Sequence, residues 1–176
     1  MEITESDPWV YFTRPPEDGE QPLDEHLTGK WMHFYHNPRF EDVLCREAIR
    51  EKIVLSCKYA KHFTAPQGVT CFYININDYA SHKKLLLFMM KHHLFQTRAG
   101  TLQNSPFKMD VQTKLSQYGS GFKRLLTLGD FFDLHSQQWI ATEESFAQKM
   151  ASISDTIQDL NEQLAAMESS PQETQA

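Results

Sequence analysis

The sequence predicts an α+β fold in which a mostly antiparallel sheet carries helices on one face, with an amphipathic heptad helix at the C-terminal end. Strand-like and helix-like segments alternate along the 176 residues, and two strand-like segments are separated by a short turn, as in a hairpin. The C-terminal segment repeats its apolar residues with heptad spacing. The length fits one domain of ordinary size, and 40 % apolar residues are ample for a core.

Composition divides the chain into four predicted parts. These are an acidic, proline-containing N-terminal arm (1–25), a basic α+β domain (26–140), the heptad helix (141–168) and a disordered tail (169–176). Four prolines exclude helix from the arm. Its apolar run, residues 9–12, is expected to dock on the domain as an edge strand or a tether.

The first half of the domain predicts a strand, a helix and a hairpin. Residues 29–35 read as a strand. Asn37 can cap a helix that has Pro38 at its first position and extends to about Glu51. Its expected buried stripe is formed by Phe40, Val43, Leu44, Ala48 and Ile49. Residues 53–61 and 69–76 then alternate as two strands of a hairpin around Pro66-Gln67-Gly68.

A second helix and a later strand follow. Asp78 is a suitable cap for a helix from Tyr79 to about Phe95, and the continuous apolar run 85–90 indicates that this helix is buried against the sheet. Phe107, Met109 and Val111 alternate as a further strand.

The C-terminal helix has the clearest pattern in the chain. Apolar residues recur at alternating intervals of four and three, an a/d seam over three heptads: Phe146, Met150, Ile153, Ile157, Leu160, Leu164 and Met167. Thr142 is a plausible N-cap. Such a seam packs on its own domain, on a second copy of the chain or on a partner helix, and the spacing alone does not choose among these.

Charge is unevenly distributed. Residues 1–28 hold eight acidic residues and one basic residue, and residues 141–176 hold seven and one, although the net charge of the whole chain is −6. The intervening body therefore carries fifteen Lys and Arg against eight Asp and Glu. This partition predicts either attraction of an anionic partner to the body or mutual screening of body and arms.

Lysine and aromatic residues interleave in the body, a mixture suited to phosphates and stacked bases. The ligand- or RNA-binding candidates are Trp31, Lys58, Tyr59, Lys61, Lys123 and Arg124. The last two follow the glycine-rich turn 119–121, which lacks a full phosphate-loop pattern. His26 and His62 each begin a His-x-Thr element, the arrangement of a two-histidine phosphoesterase. No metal site or cofactor is predicted.

The cysteines and the apolar runs suggest a compartment. Cys45, Cys57 and Cys71 are odd in number and lie in apolar segments, which argues against a disulfide framework and favours a reducing, cytoplasmic environment. The longest apolar run, residues 85–90, is far too short to cross a membrane.

Three segments in residues 28–76 carry a resemblance to a known family. They read TGKWMHF (28–34), CKYAK (57–61) and VTCFY (69–73), with a helix between the first two. In this order they resemble the basophilic leukaemia-expressed protein family. The resemblance implies a fold like that of the cap-binding translation-initiation factor, a curved antiparallel sheet backed by helices. It covers about a third of the chain and ends near Ala80, and no cap-binding residue transfers to a position of this sequence.

Three functions follow as hypotheses. The first is a non-enzymatic interaction or adaptor protein that uses the C-terminal helix for self-association or for binding a protein partner. The alternative is a nucleotide- or single-stranded-RNA-binding module. A phosphoesterase acting through His26 and His62 is the third. Basic residues gathered in one patch would favour the binding module, and scattered ones the adaptor.

Overall fold

The computed structural model describes residues 1–170. In that part of the chain the strands are β1 (Glu2–Ser6), β2 (Trp9–Thr13), β3 (Thr28–Tyr35), β4 (Ser56–Ala60), β5 (Gly68–Asn75), β6 (Thr97–Arg98), β7 (Thr101–Leu102), β8 (Pro106–Met109) and β9 (Leu126–Thr127). The α-helices are α1 (Glu41–Arg50), α2 (Tyr79–Lys91), α3 (Asp110–Lys114) and α4 (Glu143–Ser169). Most of the predicted tail, residues 171–176, lies outside the described residues.

Seven strands form one open antiparallel sheet in the order β1-β2-β4-β5-β3-β8-β9. The predicted hairpin is present, because β4 pairs with β5 in antiparallel register. Strands β6 and β7 form a separate small ribbon. The predicted α+β class, with a mostly antiparallel sheet and a C-terminal helix, is confirmed.

One face of the sheet carries the core. Successive side chains of a strand point to opposite faces, and Trp31 and its partner Phe72 both point towards the helices, where they are fully buried. Helix α2 contributes Leu85 and Leu86 to this core, and α1 contributes Cys45. The strand residues that alternate with Trp31 and Phe72 therefore belong to the opposite face.

The N-terminal segment is more structured than the sequence indicates. Strand β2 pairs with β4 rather than lying at the edge, and β1 pairs with β2 to become the outer strand. Val10 and Phe12 point into the core and are buried. Residues 1–13 of the predicted arm thus belong to the sheet.

Several predicted boundaries differ in the structure, and α2 ends at Lys91 rather than near Phe95. Asn37 and Pro38 begin a 3₁₀ turn, Pro38–Phe40, and the α-helix starts only at Glu41. Phe40 and Val43, expected in the buried stripe, are 66 % and 64 % exposed, because the inward side of α1 is formed by Cys45 together with Ala48 and Ile49, which are buried as predicted. Val111 lies in α3 rather than in a strand.

Helix α4 packs on its own domain through most of its heptad seam. Phe146, Ile153 and Leu160 are buried, and Met150, Ile157 and Leu164 pack against the core in part. Only the seventh seam residue, Met167, is mainly exposed, at 52 %. Thr142 caps the helix as predicted, its Oγ1 accepting from the Ser145 N–H at 3.0 Å. Intramolecular packing therefore accounts for the heptad spacing, and self-association stays a prediction.

Among the helices of residues 1–170, none combines the length and the apolar character that crossing a membrane requires.

Candidate ligand-binding face

The sheet face opposite the helices carries three lysines on neighbouring strands. Strand register places Lys58 opposite Cys71, Cys71 opposite Met32, and Lys30 opposite Lys108. We call this surface the lysine face and define it by Trp9, Tyr11, Lys30, Met32, Phe34, Lys58, Cys71, Tyr73 and Lys108.

Lys58 lies across aromatic rings of the neighbouring strand β2. Its Nζ is 3.8 Å from the ring centroid of Trp9 and 5.5 Å from that of Tyr11. In residues 1–170 no carboxylate lies within 4.0 Å of this ammonium. Burial lowers the pKa of Lys58 below its ordinary value, and the nearby charge of Lys30 lowers it further. A half-buried ammonium held by rings alone is suited to an anion that would restore its lost solvation.

The positive charge of Lys30, the second lysine of the lysine face, is neutralised by a carboxylate. Its Nζ donates to Asp110 at 2.7 Å and to Thr113 at 2.8 Å, both on the short helix α3. The same ammonium is 5.9 Å from the ring centroid of Tyr73. Lys30 therefore ties α3 to the sheet and adds little net charge to the lysine face.

Lys108 connects the lysine face with the loop formed by residues 115–124. Its Nζ donates to the carbonyl of Gln117 at 2.6 Å and lies 3.7 Å and 5.3 Å from the ring centroids of Tyr118 and Phe122. Burial, and then the charge of Lys30, lowers the pKa of Lys108. In the described residues this lysine also has no carboxylate within 4.0 Å.

The buried side chain of Gln112 holds the same loop through hydrogen bonds. Gln112 Oε1 accepts from the Met109 N–H at 3.0 Å, and its Nε2 donates to the Lys123 carbonyl at 2.8 Å. Because both ends of the amide are used, Gln112 links the loop to Met109 at the end of strand β8.

A cleft of about 520 Å³ lies between this loop and the lysine face. Met32, Phe34, Leu94 and Pro106 supply apolar surface, and Tyr118 and Phe122 supply aromatic surface. The polar lining side chains are those of Gln96, Gln103, Asn104, Ser105, Lys108 and Arg124. An apolar and aromatic cleft with a few polar groups is the ordinary form of a small-molecule site.

The structure separates the residues that the sequence proposes for binding. Trp31 and Tyr59 point to the helix side and are buried in the core, so neither ring is available to a ligand on the lysine face. Lys58 lies on that face, and Arg124 lines the cleft, where its guanidinium donates to the Asn104 carbonyl. Lys123 is exposed on the loop, with its carbonyl bound by Gln112.

Lys61, the last of these candidates, follows strand β4 and forms an ion pair with the acidic N-terminal segment. Its Nζ lies 3.5 Å from Glu5. Lys52 similarly pairs with Glu17 at 2.8 Å, and Lys84 is 3.9 Å from Glu20. The predicted screening between arm and body therefore occurs at these lysines, while the cations of the lysine face lie apart from it.

The two-histidine phosphoesterase is not supported by the geometry. His26 precedes the Thr28 end of β3, which pairs with Asn75, whereas His62 follows β4 near the Gly68 end of β5. Seven residue steps lie between Gly68 and Asn75 along β5, and at about 3.3 Å each they separate these ends by roughly 23 Å. An acid and a base so far apart cannot reach one substrate.

Sequence reasoning missed the rings that contact the lysines: Trp9, Tyr11, Tyr73 and Tyr118. The alternation of side chains between the two faces of a strand is the signal that could have identified these rings. Adjacent strand residues such as Lys30 and Trp31 occupy opposite faces, so a lysine's ring partner must come from the same face of a neighbouring strand.

No protein-family model, curated protein or solved structure matches this chain. The resemblance of residues 28–76 to the basophilic leukaemia-expressed family therefore stays a prediction.

Proposed function

We propose that the protein binds single-stranded RNA or a related nucleotide ligand on the lysine face, without catalysing a reaction on it. The observation that carries this proposal is the presence on one sheet face of Lys58 and Lys108, two lysines without a carboxylate partner in the described residues, with each ammonium close to an aromatic ring. Cations neutralise phosphates and aromatic faces stack on bases, which is the combination that a single strand requires.

The spacing of the lysines favours a strand over a mononucleotide. Lys58 and Lys108 lie on β4 and β8, three strand spacings apart in the sheet. At about 4.8 Å per spacing their backbones are roughly 14 Å apart across the sheet. One phosphate group cannot contact both ends of this row, whereas successive phosphates of a strand can.

The adaptor function predicted from the heptad seam has less support. Six of its seven seam residues already pack on or in the core of the same chain. Association through that seam would first have to expose those side chains to water, at a cost proportional to the apolar area released.

The proposal is tested with fluorescein-labelled hexauridylate and the full chain. Fluorescence anisotropy should show binding at about 50 mM salt that weakens steeply towards about 200 mM. Quenching of intrinsic tryptophan fluorescence should accompany binding and decrease in W9F, because Trp9 lies on the lysine face against Lys58.

Matched substitutions locate the site. K58A should weaken binding and reduce the slope of log affinity against log salt by about one. K61A removes the same charge three residues away, at a lysine paired with Glu5, and should leave the slope unchanged. Absence of binding at about 50 mM salt, or equal effects of K58A and K61A, would overturn the proposal.

A further inference from the structure

The cleft beside the lysine face carries polar side chains whose hydrogen-bonding capacity the fold does not use. Gln96 and Gln103 line it and make no side-chain hydrogen bond to any part of the chain that the structure describes. Asn104 differs, because its Oδ1 accepts from the Gly129 N–H at 2.7 Å. This bond sets the orientation of the Asn104 amide and leaves its NH₂ group as the free end.

Fixed polar groups in the cleft are therefore mainly donors. The Asn104 NH₂ is joined by the ammonium of Lys108 and the guanidinium of Arg124, neither of which can accept a hydrogen bond. The amides of Gln96 and Gln103 and the hydroxyl of Ser105 can rotate to offer either a donor or an acceptor. A planar ligand in this cleft is thus selected by the acceptors on its edge.

The cleft is continuous with the lysine face, since Met32, Phe34 and Lys108 belong to both. Tyr118 and Phe122 provide aromatic surface on the loop side, and the volume of about 520 Å³ is ample for one base with its sugar. A strand lying on the lysine face can therefore place one base in the cleft without leaving the surface.

We propose that this cleft is a base-selective subsite that takes one nucleobase of a bound strand and prefers keto bases, uracil and guanine, over amino bases, cytosine and adenine. The inference rests on the proposed RNA-binding function and adds its specificity. Keto bases present a carbonyl acceptor where amino bases present an NH₂ donor, and a donor opposite a donor leaves both groups without partners.

The test compares matched hexanucleotides that differ in this keto or amino group and in the protonation of the adjacent ring nitrogen, which carries a hydrogen in keto bases and is an acceptor in amino bases. Hexauridylate is paired with hexacytidylate, and hexainosinate with hexaadenylate, because inosine has the guanine O6 without its amino group. The wild-type chain should bind the keto member of each pair at least about fivefold more tightly, the low end for one discriminating base contact.

The variant N104D changes the free end of the side chain at position 104 from a hydrogen-bond donor to an acceptor. The carboxylate introduced by this substitution would keep an oxygen for the Gly129 N–H and replace the NH₂ donor by a second acceptor. The keto-to-amino affinity ratio should fall to about one or invert. Because the added negative charge weakens all four ligands alike, the ratio is the informative readout.

K58A serves as the control, since it should weaken all four hexanucleotides by a similar factor and preserve the ratio. Equal wild-type affinity for keto and amino members, or a ratio unchanged in N104D, would overturn the base-selective subsite and leave RNA binding intact. Failure of all four to bind at about 50 mM salt would overturn the proposed function and this inference together.

Discussion

Trp31 donates its indole N–H to Nδ1 of His82 over 3.0 Å in the centre of the core. The other ring nitrogen of His82, Nε2, lies 2.8 Å from the carbonyl of Ile76 and must carry the proton, because a carbonyl only accepts. The pair joins strand β3 to helix α2. With Nδ1 acting as an acceptor the imidazole is neutral, and burial lowers the pKa of His82 to about 4.

This pair predicts sensitivity to mild acid. The ordinary pKa of 6.5 applies to the unfolded chain, so the unfolded state gains a proton first and the stabilisation is lost as pH falls from about 6.5 towards 4. The free energy of unfolding in urea should drop by roughly 2 kcal/mol between about pH 7.5 and pH 5.

H82Q provides the comparison, because a Gln amide can accept from Trp31 and donate to Ile76 without titrating in this range. Its free energy of unfolding should change less over the same pH interval than that of the wild type. Equal pH dependence in the two proteins would show that His82 is not the responsible group.

The seam of α4 predicts a difference between two of its apolar residues. Leu160 is buried against the domain and Met167 is mainly exposed, so L160A should lower the free energy of unfolding by about 2–4 kcal/mol and M167A by less than about 0.5 kcal/mol. Urea denaturation measures both. In size-exclusion chromatography, a wild-type dimer that L160A converts into a folded monomer would contradict intramolecular packing of these seam residues.

Strands β3 and β8 approach so closely at Gly29 that there is no room for a side chain at this position. A Cβ at this position would lie 2.6 Å from Phe107 Cζ and 2.7 Å from the carbonyl oxygen of Lys108. G29A should therefore destabilise the protein by about 1–3 kcal/mol, as overpacking does. Gly121 has nothing within 4 Å of the equivalent Cβ, and G121A should leave the thermal midpoint nearly unchanged; similar losses in both variants would contradict the steric explanation.

From the hydrogen bonds of Gln112 we expect this residue to stabilise the loop 115–124. Q112A removes the bonds to Met109 and Lys123 and leaves the buried Met109 N–H unpaired, so a loss of about 1–3 kcal/mol is expected. Limited trypsin digestion should cut faster after Lys123 and Arg124 in Q112A than in Q103A, where the replaced amide is exposed. Unchanged cleavage would mean that the loop is anchored by other contacts.

Local patterns account for what the sequence predicted well. The cap at Asp78 and the start of α2 at Tyr79 follow from side-chain bonding within one turn, and Thr142 begins α4 for the same reason. The β4–β5 hairpin is likewise set by neighbouring segments. The helical spacing wrongly predicted that Phe40 and Val43 are buried. The width of the buried stripe depends on how α1 lies on the sheet, which the spacing does not specify.

The candidate site could be predicted only in part. Lys58 and Arg124 are common to the sequence-based list and to the structure, but Trp31 and Tyr59 face the core, and Lys108 with its rings was not among the candidates. The missing information was strand order: β2 packs beside β4, which brings Trp9 over Lys58 from 49 positions away in the chain.

By itself, the sequence determined the α+β class, most of the element types, the caps at Asp78 and Thr142 and the heptad spacing, because each depends on residues within a few turns of one another. Only the tertiary structure decided which strands are neighbours, which face each lysine shares with which ring, and that the seam of α4 covers its own domain. Those outcomes depend on contacts between distant segments, and local periodicity carries no information about which distant segment supplies the partner.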